Sequence, residues 1–329
     1  MVKCLIAGGG GMIGQKLARH LDTYGLAGQG ITTLELFDLS FPTNGAKIGT
    51  RTTGTMTDAN SLSQLAAKKF DVIFFLAAVV SGEAEMDFEK GWEINLFCLW
   101  NFLNRLKSET ETNGAYLPRL VFASTTGVFG PPFHGPVSDR QICEPRSSYG
   151  AQKVCAEMLV SDFSRKGFID GVSIRLPTIS VRPGAPNRAA SSFFSSIIRE
   201  PLNGRSTVLP VSRDLVHMHA SPRSAAGFFA HAAELDTASL DGRRSLNMPS
   251  LTCSVEEQIN ALESVAGSEA VKFISEKPDP FVESIVSTWP CGFQADRAKE
   301  LGFRSENSYE EIIQIYIDED LPLDLTRPR

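Results

Sequence analysis

Tyr149 and Lys153 stand four residues apart in Tyr149-Gly150-Ala151-Gln152-Lys153, the spacing that puts a phenol and an ammonium on one face of a helix. A free phenol, with a pKa near ~10, is a poor base at neutral pH, but a neighbouring cation favours the phenolate, and each pKa unit gained is worth ~1.4 kcal/mol. Upstream, Ser124-Thr125-Thr126 close a strand-like run, where their hydroxyls can hydrogen-bond a carbonyl or an alkoxide. The set has the chemistry to take a proton from a substrate hydroxyl while holding its oxygen.

A second constellation lies at the start of the chain. Gly8-Gly9-Gly10-Gly11-Met12-Ile13-Gly14 follows a strand over 2–7 and opens a helix over 12–22, so Gly8, Gly11 and Gly14 fall in G-x-x-G-x-x-G spacing. Such a turn lets backbone approach a pyrophosphate, and Met12 and Ile13 begin the helix whose free N–H groups face it. Asp38 ends the next strand, twenty-four positions after Gly14. A carboxylate there accepts from both adenosine ribose hydroxyls and repels a 2′-phosphate, which favours NAD over NADP. Lys153 then also has the reach to anchor the nicotinamide ribose. Asp58 is placed either to meet the adenine amino group or to cap a helix.

The elements that must position these groups alternate: strands near 32–37 and 48–53, a helix over 58–68, an apolar run 71–80 that reads as a central strand, and a helix over 88–107. A fifth strand at 120–123, a Gly/Pro-rich loop 127–145, a helix over 147–165 and a sixth strand at 172–175 follow. This alternation predicts an α/β, doubly wound Rossmann-type parallel sheet of six strands over residues 1–176. From 177 to 329, prolines among Ser, Asn and Arg predict a smaller, irregular C-terminal substrate lobe, some of whose segments return to pack on the first domain. Ser308-Tyr309-Glu310-Glu311 has capping-box spacing at the start of a last helix.

Composition narrows the partners. The 329 residues are 42% hydrophobic, with a formal charge of −6 and no basic cluster, so nucleic acid and anionic membrane surfaces are not expected partners. A diffusible small molecule is. Six scattered cysteines without a C-x-x-C pair read as reduced thiols, and no apolar run is long enough to be a signal peptide or a membrane span; the cytoplasm is the expected compartment. His217-Met218-His219 lacks a nearby third ligand and reads as a structural pair, so no metal is expected.

In the order glycine motif, Leu76-Ala77-Ala78, Ser/Thr, Tyr-x-x-x-Lys, the whole chain resembles the extended short-chain dehydrogenases/reductases, the NAD-dependent epimerase/dehydratase group. The resemblance implies that Gly8, Gly11, Gly14, Asp38, Asp58, Leu76, Ala77, Ala78, Asn95, Tyr149, Lys153 and Pro177 bind or support NAD. Thr125 aligns with the family's usual catalytic serine. Threonine keeps the hydroxyl but adds a methyl that restricts χ1, so either Thr125 or Ser124 does the work. A homodimer is expected by the same analogy.

Three segments, 76–85, 175–184 and 189–193, are similar to a narrower group in that family, NAD-dependent dehydrogenases acting on the C2 hydroxyl of a four-carbon sugar acid. That likeness implies a place for Ser81 at the cofactor and substrate; otherwise Ser81 merely ends strand four. For a sugar acid, the segment 186–192 offers Asn187, Arg188, Ser191 and Ser192 beside Thr125, Thr126 and Tyr149, although Arg188 reads equally as a surface arginine. Two rivals stand beside this reading. Arg213-Asp214-Leu215-Val216-His217 is similar to a segment of sugar-nucleotide 4-epimerases, but His219-Ala220-Ser221-Pro222 replaces the Asp residues that usually follow. A catalytically silent NAD-binding regulator is the other, and the intact Tyr149–Lys153 pair argues against it.

Overall fold

The computed structural model describes residues 2–114, 116–184 and 191–321. The chain forms two compact units, one from Met1–Val128, Pro145–Leu176 and Ala226–Asn247, the other from Phe129–Glu144, Pro177–Ala225 and Met248–Arg329.

The first unit runs β1 (Val2–Ala7), α1 (Met12–Tyr24), β2 (Ile31–Asp38), β3 (Thr50–Thr53), α2 (Ala59–Ala67), β4 (Val72–Phe75), α3 (Ser81–Met86), α4 (Phe88–Trp92), α5 (Cys98–Asn113), β5 (Arg119–Thr125), α6 (Ser148–Arg165) and β6 (Asp170–Leu176). Its sheet has seven strands in the order Ser245–Asn247, β6, β5, β4, β1, β2, β3, every neighbouring pair parallel. The direction of winding reverses between β1 and β4, and ligands of such sheets bind in the crevice at the carboxyl ends of the two strands that flank it. Leu5, Ile73, Phe75, Leu120 and Phe122 form its core with the helices, which is why these strands carry apolar runs without polar alternation.

Three expectations change. The sheet has seven strands rather than six, because Ser245–Asn247 adds in parallel beside Ser173–Arg175. Strand four covers only Val72–Phe75, and 76–80 leave the sheet as a loop. The helix expected over 88–107 is α4, a π-helical turn at Glu93–Phe97 and then α5, preceded by the unforeseen α3, at whose start Ser81 lies rather than at the end of a strand.

In the second unit, Val216–Ala220 pairs antiparallel with Leu251–Ser254 and parallel with Thr178–Ile179. Helices Ser192–Leu202, Val255–Ala266 and Tyr309–Glu319 enclose a core that includes Phe194, Ile197, Ile259, Ile312 and Ile313. The last helix is capped at Ser308, which accepts from Glu311 N–H, but only this half of the capping-box spacing is realised, since the Glu311 carboxylate accepts from Asn307 N–H rather than from that of Ser308. No described helix is long and apolar enough to cross a membrane.

Candidate active site

At the end of β1 the chain turns through Gly8 at φ +92°, a conformation that disfavours a side chain, and a Cβ there would lie 2.7 Å from Ala77 N. A Cβ on Gly14 would run into the Gly8 carbonyl. The two glycines let β1, α1 and the loop after β4 close on one another. Helix α1 starts at Gly11 with no side-chain cap and no acidic residue in its first turn, so its first N–H groups, at Met12 and Ile13, have no acceptor from a capping side chain. Gln15, which sequence reasoning passed over, braces the turn: its Nε2 donates to Gly9 O and its Oε1 accepts from Ala46 N–H at 2.6 Å.

Asp38 sits at the tip of β2, where Oδ2 accepts from Gly10 N–H at 2.8 Å and Oδ1 from Leu39 N–H at 2.7 Å. The carboxylate is thereby held beside the glycine turn. Asp58 caps α2, accepting from Ser61 N–H at 2.7 Å, and chiefly this hydrogen bond holds its carboxyl below the usual range. After β4, Leu76 N–H donates to Ala7 O at 2.8 Å, so Leu76, Ala77 and Ala78 leave the sheet beside the glycine turn, and Ser81 opens α3. Asn95, 1% exposed, holds the end of this loop through both backbone groups of Val79.

On the other side of β4, β5 ends at Thr125 and Thr126 begins a 3₁₀ turn. Ser147 caps α6, accepting from Gly150 N–H at 3.1 Å, and so places Tyr149 in the first turn with Lys153 one turn on. A Cβ on Gly127 would lie 3.6 Å from Thr125 Oγ1 and 3.8 Å from Tyr149 Cδ1, so the hydroxyl and the phenol ring flank one point. Gly150 allows this approach, since a Cβ on it would strike the Gly127 carbonyl.

Lys153 is 1% exposed; its Nζ donates to Ala123 O at 2.8 Å and lies 5.6 Å from the Tyr149 ring centroid and 4.6 Å from that of Phe122. Burial lowers its ammonium from 10.5 to about 8, opposed by the smaller influence of Cys98 and Glu157. Ser124 and Thr125 have different surroundings. Ser124 is buried and its hydroxyl donates to Glu157, whereas Thr125 Oγ1 accepts from Gly127 N–H at 3.1 Å. Glu157 has no exposed surface and is also bound by Arg175 through Nε at 2.9 Å and Nη2 at 2.7 Å, while Arg175 Nη1 donates to Asn247 Oδ1 at 3.3 Å. Glu157 was legible in principle, because 149, 153 and 157 repeat at four-residue spacing on one helix face.

The first unit thus gathers the glycine turn, Asp38, Asp58, the loop 76–81, Asn95, Ser124–Thr126, Tyr149 and Lys153. Pro177, Ser191 and Ser192 belong to the second, where Ser191 Oγ accepts from Arg182 Nη2 at 3.1 Å and Ser192 opens a helix. Asn187 and Arg188 lie outside the described residues. In the second unit His217 Nε2 meets Thr178 Oγ1 at 2.7 Å with its ring parallel to Phe194, and His219 lies between Ser180 and Gln258. Among the described residues no three His, Cys, Asp or Glu side chains are grouped to hold a metal ion.

A parallel sheet with this turn, an acid at the tip of β2 and a Tyr–Lys pair on α6 define a dinucleotide-dependent enzyme class. Residues 4–219 match the NAD dependent epimerase/dehydratase family, and the chain belongs to it. Its cofactor is NAD, and the cradle fits: the glycine turn has no side chain to obstruct a pyrophosphate, and the Asp38 carboxylate stands beside it.

Among curated relatives, D-erythronate dehydrogenase of Cupriavidus necator is 41% identical, covering 96% of this chain and 98% of its own. D-erythronate dehydrogenase of Haemophilus influenzae is 34% identical over 97% of this chain and 100% of its own. A crystal structure from Agrobacterium tumefaciens, described as a nucleoside-diphosphate-sugar epimerase, superposes with a TM-score of 0.93 at 44% identity, covering 98% of this chain and 95% of that one.

Proposed function

We propose that the protein oxidises the C2 hydroxyl of D-erythronate to the 2-keto acid, with Tyr149 as the general base. The reading rests above all on full-length similarity to two D-erythronate dehydrogenases in a chain that retains the Tyr149–Lys153–Thr125 set. NAD, when bound, supplies the hydride acceptor. The protein contributes proton transfer and orientation. The buried Lys153 cation lies one helical turn from the phenol and favours its ionised form, so Tyr149 can accept the C2 hydroxyl proton. Thr125, whose Oγ1 flanks the same point above Gly127 as the Tyr149 ring, is assigned to orient the substrate oxygen rather than Ser124, which is committed to Glu157. Asp38 takes the adenosine ribose hydroxyls, the start of α1 the pyrophosphate and Asn95 the support of the loop beneath. For the substrate carboxylate we assign Asn187, Arg188, Ser191 and Ser192, with Ser81 and Thr126 on its hydroxyls.

Large apolar side chains stand exposed on α5 and α6 and the turn before them, namely Phe97, Trp100 and Met158, and we assign this face to a homodimer. All six cysteines are free thiols, which suits a cytoplasmic enzyme.

Purified protein given NAD and D-erythronate should accumulate NADH, and Tyr149→Phe should abolish turnover while leaving NAD binding intact. No NADH from any four-carbon or five-carbon aldonate overturns the substrate. The similarity to the structure described as a nucleoside-diphosphate-sugar epimerase gives the second reading its measurable form: interconversion of UDP-hexoses without net NADH.

A further inference from the structure

Gln152 lies between the two residues of the Tyr149–Lys153 pair and has no exposed surface, yet nothing in a proton-transfer mechanism uses it. Its Oε1 accepts from Asn95 Nδ2 at 2.7 Å. Asn95 Oδ1 in turn accepts from Val79 N–H at 2.9 Å, and Asn95 Nδ2 donates to Val79 O at 3.2 Å. A backbone N–H and C=O cannot exchange roles, so Val79 fixes which end of the Asn95 amide faces it. That choice leaves an Asn95 N–H for Gln152 and fixes the Gln152 amide as well. The series Val79–Asn95–Gln152 therefore has one consistent orientation, and it joins the loop after β4 to the helix that carries Tyr149 and Lys153.

The loop needs such a tie. Its first residue is held to the sheet by Leu76 N–H to Ala7 O, and its backbone passes so near Gly8 that no Cβ fits between. Beyond Ala77 the sheet offers nothing, and Asn95 supplies the paired donor and acceptor that a neighbouring strand would otherwise provide. Asn95 stands in the π-helical turn Glu93–Phe97, where the extra residue re-aims side chains relative to the α-helices on either side.

A second observation separates function from stability. Gln152 Nε2 is buried and has no hydrogen-bond partner, and α4 packs so closely that a Cβ on Gly91 would lie 2.6 Å from it. A buried unpaired donor is a cost to folding, so an apolar residue of the same shape should be tolerated at 152. We propose that Gln152 is a positioning residue: through Asn95 it holds loop 76–80 against the glycine turn, making the NAD cradle and the Tyr149–Lys153 helix one rigid assembly. The inference rests on NAD as the cofactor and is independent of which hydroxy acid is oxidised.

Gln152→Met keeps the shape and removes the acceptor. Thermal stability should change little, since the unpaired Gln152 donor disappears as one Asn95 N–H loses its acceptor; amide hydrogen exchange across 76–80 in the NAD-free protein should accelerate, and the NAD dissociation constant should rise roughly tenfold. In an Asn95→Ala background the same change should have no further effect on NAD binding, because the series is already cut. Unchanged exchange and NAD affinity in Gln152→Met, or additive losses in the double variant, overturn the proposal. NAD binding and exchange need no substrate, so this outcome is read separately from the test with D-erythronate.

Discussion

The Ser124 hydroxyl donates to Glu157, a carboxylate without exposed surface that Arg175 also clasps. Thr125, next along β5, accepts instead from Gly127 N–H, and it and the Tyr149 ring flank one point above Gly127. The two neighbouring hydroxyls thereby have different surroundings, one committed to a buried ion pair and the other, by the proposed assignment, left for the substrate.

Thr125→Val keeps the branched shape and removes the hydroxyl, and kcat should fall by about 10²–10³-fold, the usual loss for a donor to a developing oxyanion. Ser124→Ala should leave kcat within a few-fold but lower stability by about 1–2 kcal/mol, since Glu157 loses a hydrogen bond inside the protein. Steady-state kinetics paired with urea unfolding distinguishes them. The opposite pattern would assign the catalytic hydroxyl to Ser124.

Lys153 gives the pH dependence. Burial brings its folded-state pKa from 10.5 to about 8, so between those values the unfolded chain holds a proton that the folded chain has released. The Lys153 contribution to unfolding free energy should therefore rise with pH across this window, while below about 8 the cost of the buried cation is constant. Buried Cys4, Cys98 and Cys253, pushed up to about 12, act in the opposite sense above about 9, so the Lys153 part is read as the difference from a Lys153→Met variant. Activity should move the other way. Once Lys153 loses its charge the Tyr149 phenolate loses its electrostatic support, and kcat/KM should decline on an alkaline limb near 8. The excess of wild-type over Lys153→Met unfolding free energy should grow with pH from about 8 to 10.5, and the variant's turnover should fall by at least about 10²-fold. A wild-type profile flat from pH 7 to about 10 would refute the assignment.

How much of this was legible depended on the range of the interactions. The glycine turn and Asp38 are encoded within β1–α1–β2, and the structure brings the Asp38 carboxylate onto Gly10 N–H of that turn. Strand four was overextended because all of 72–80 is apolar, whereas it ends at Phe75 and Val79 is held instead by the amide of Asn95, a residue beyond the next two helices. The strand Ser245–Asn247 was missed because three residues carry no periodicity, and its partner β6 lies far back in the chain. Ser124 and Thr125 could not be told apart because the difference is made by Glu157 and Arg175.

Asp38 should decide between dinucleotides. Its carboxylate already accepts Gly10 N–H, so under the proposed assignment ribose binding and the shape of the glycine turn would depend on the same group. Asp38→Asn should weaken NAD by roughly tenfold, as a charge-assisted bond becomes neutral and one acceptor oxygen becomes a donor. NADP should weaken less or improve, because repulsion of the 2′-phosphate is removed. Titrating both nucleotides against wild type and variant measures the ratio, and an unchanged ratio would count against Asp38 as the selecting group.

The paired histidines of the second unit predict an acid sensitivity unrelated to catalysis. Burial is the main cause of the fall of His217 to about 3, with the Pro290 hydrogen bond opposing it and Arg182 adding to it; His219 is pushed well below 6.5, chiefly by burial. As pH falls from about 6.5, the unfolded chain takes up protons that the folded unit refuses, so stability should decline, by at most about 1.4 kcal/mol per pH unit for each ring. His217→Gln retains a partner for Thr178 and cannot titrate. Urea midpoints at pH 7.5 and 5 should therefore differ less in this variant than in the wild type. If the variant loses as much on acidification, the acid sensitivity arises elsewhere, and the stacking of His217 on Phe194 is then packing alone.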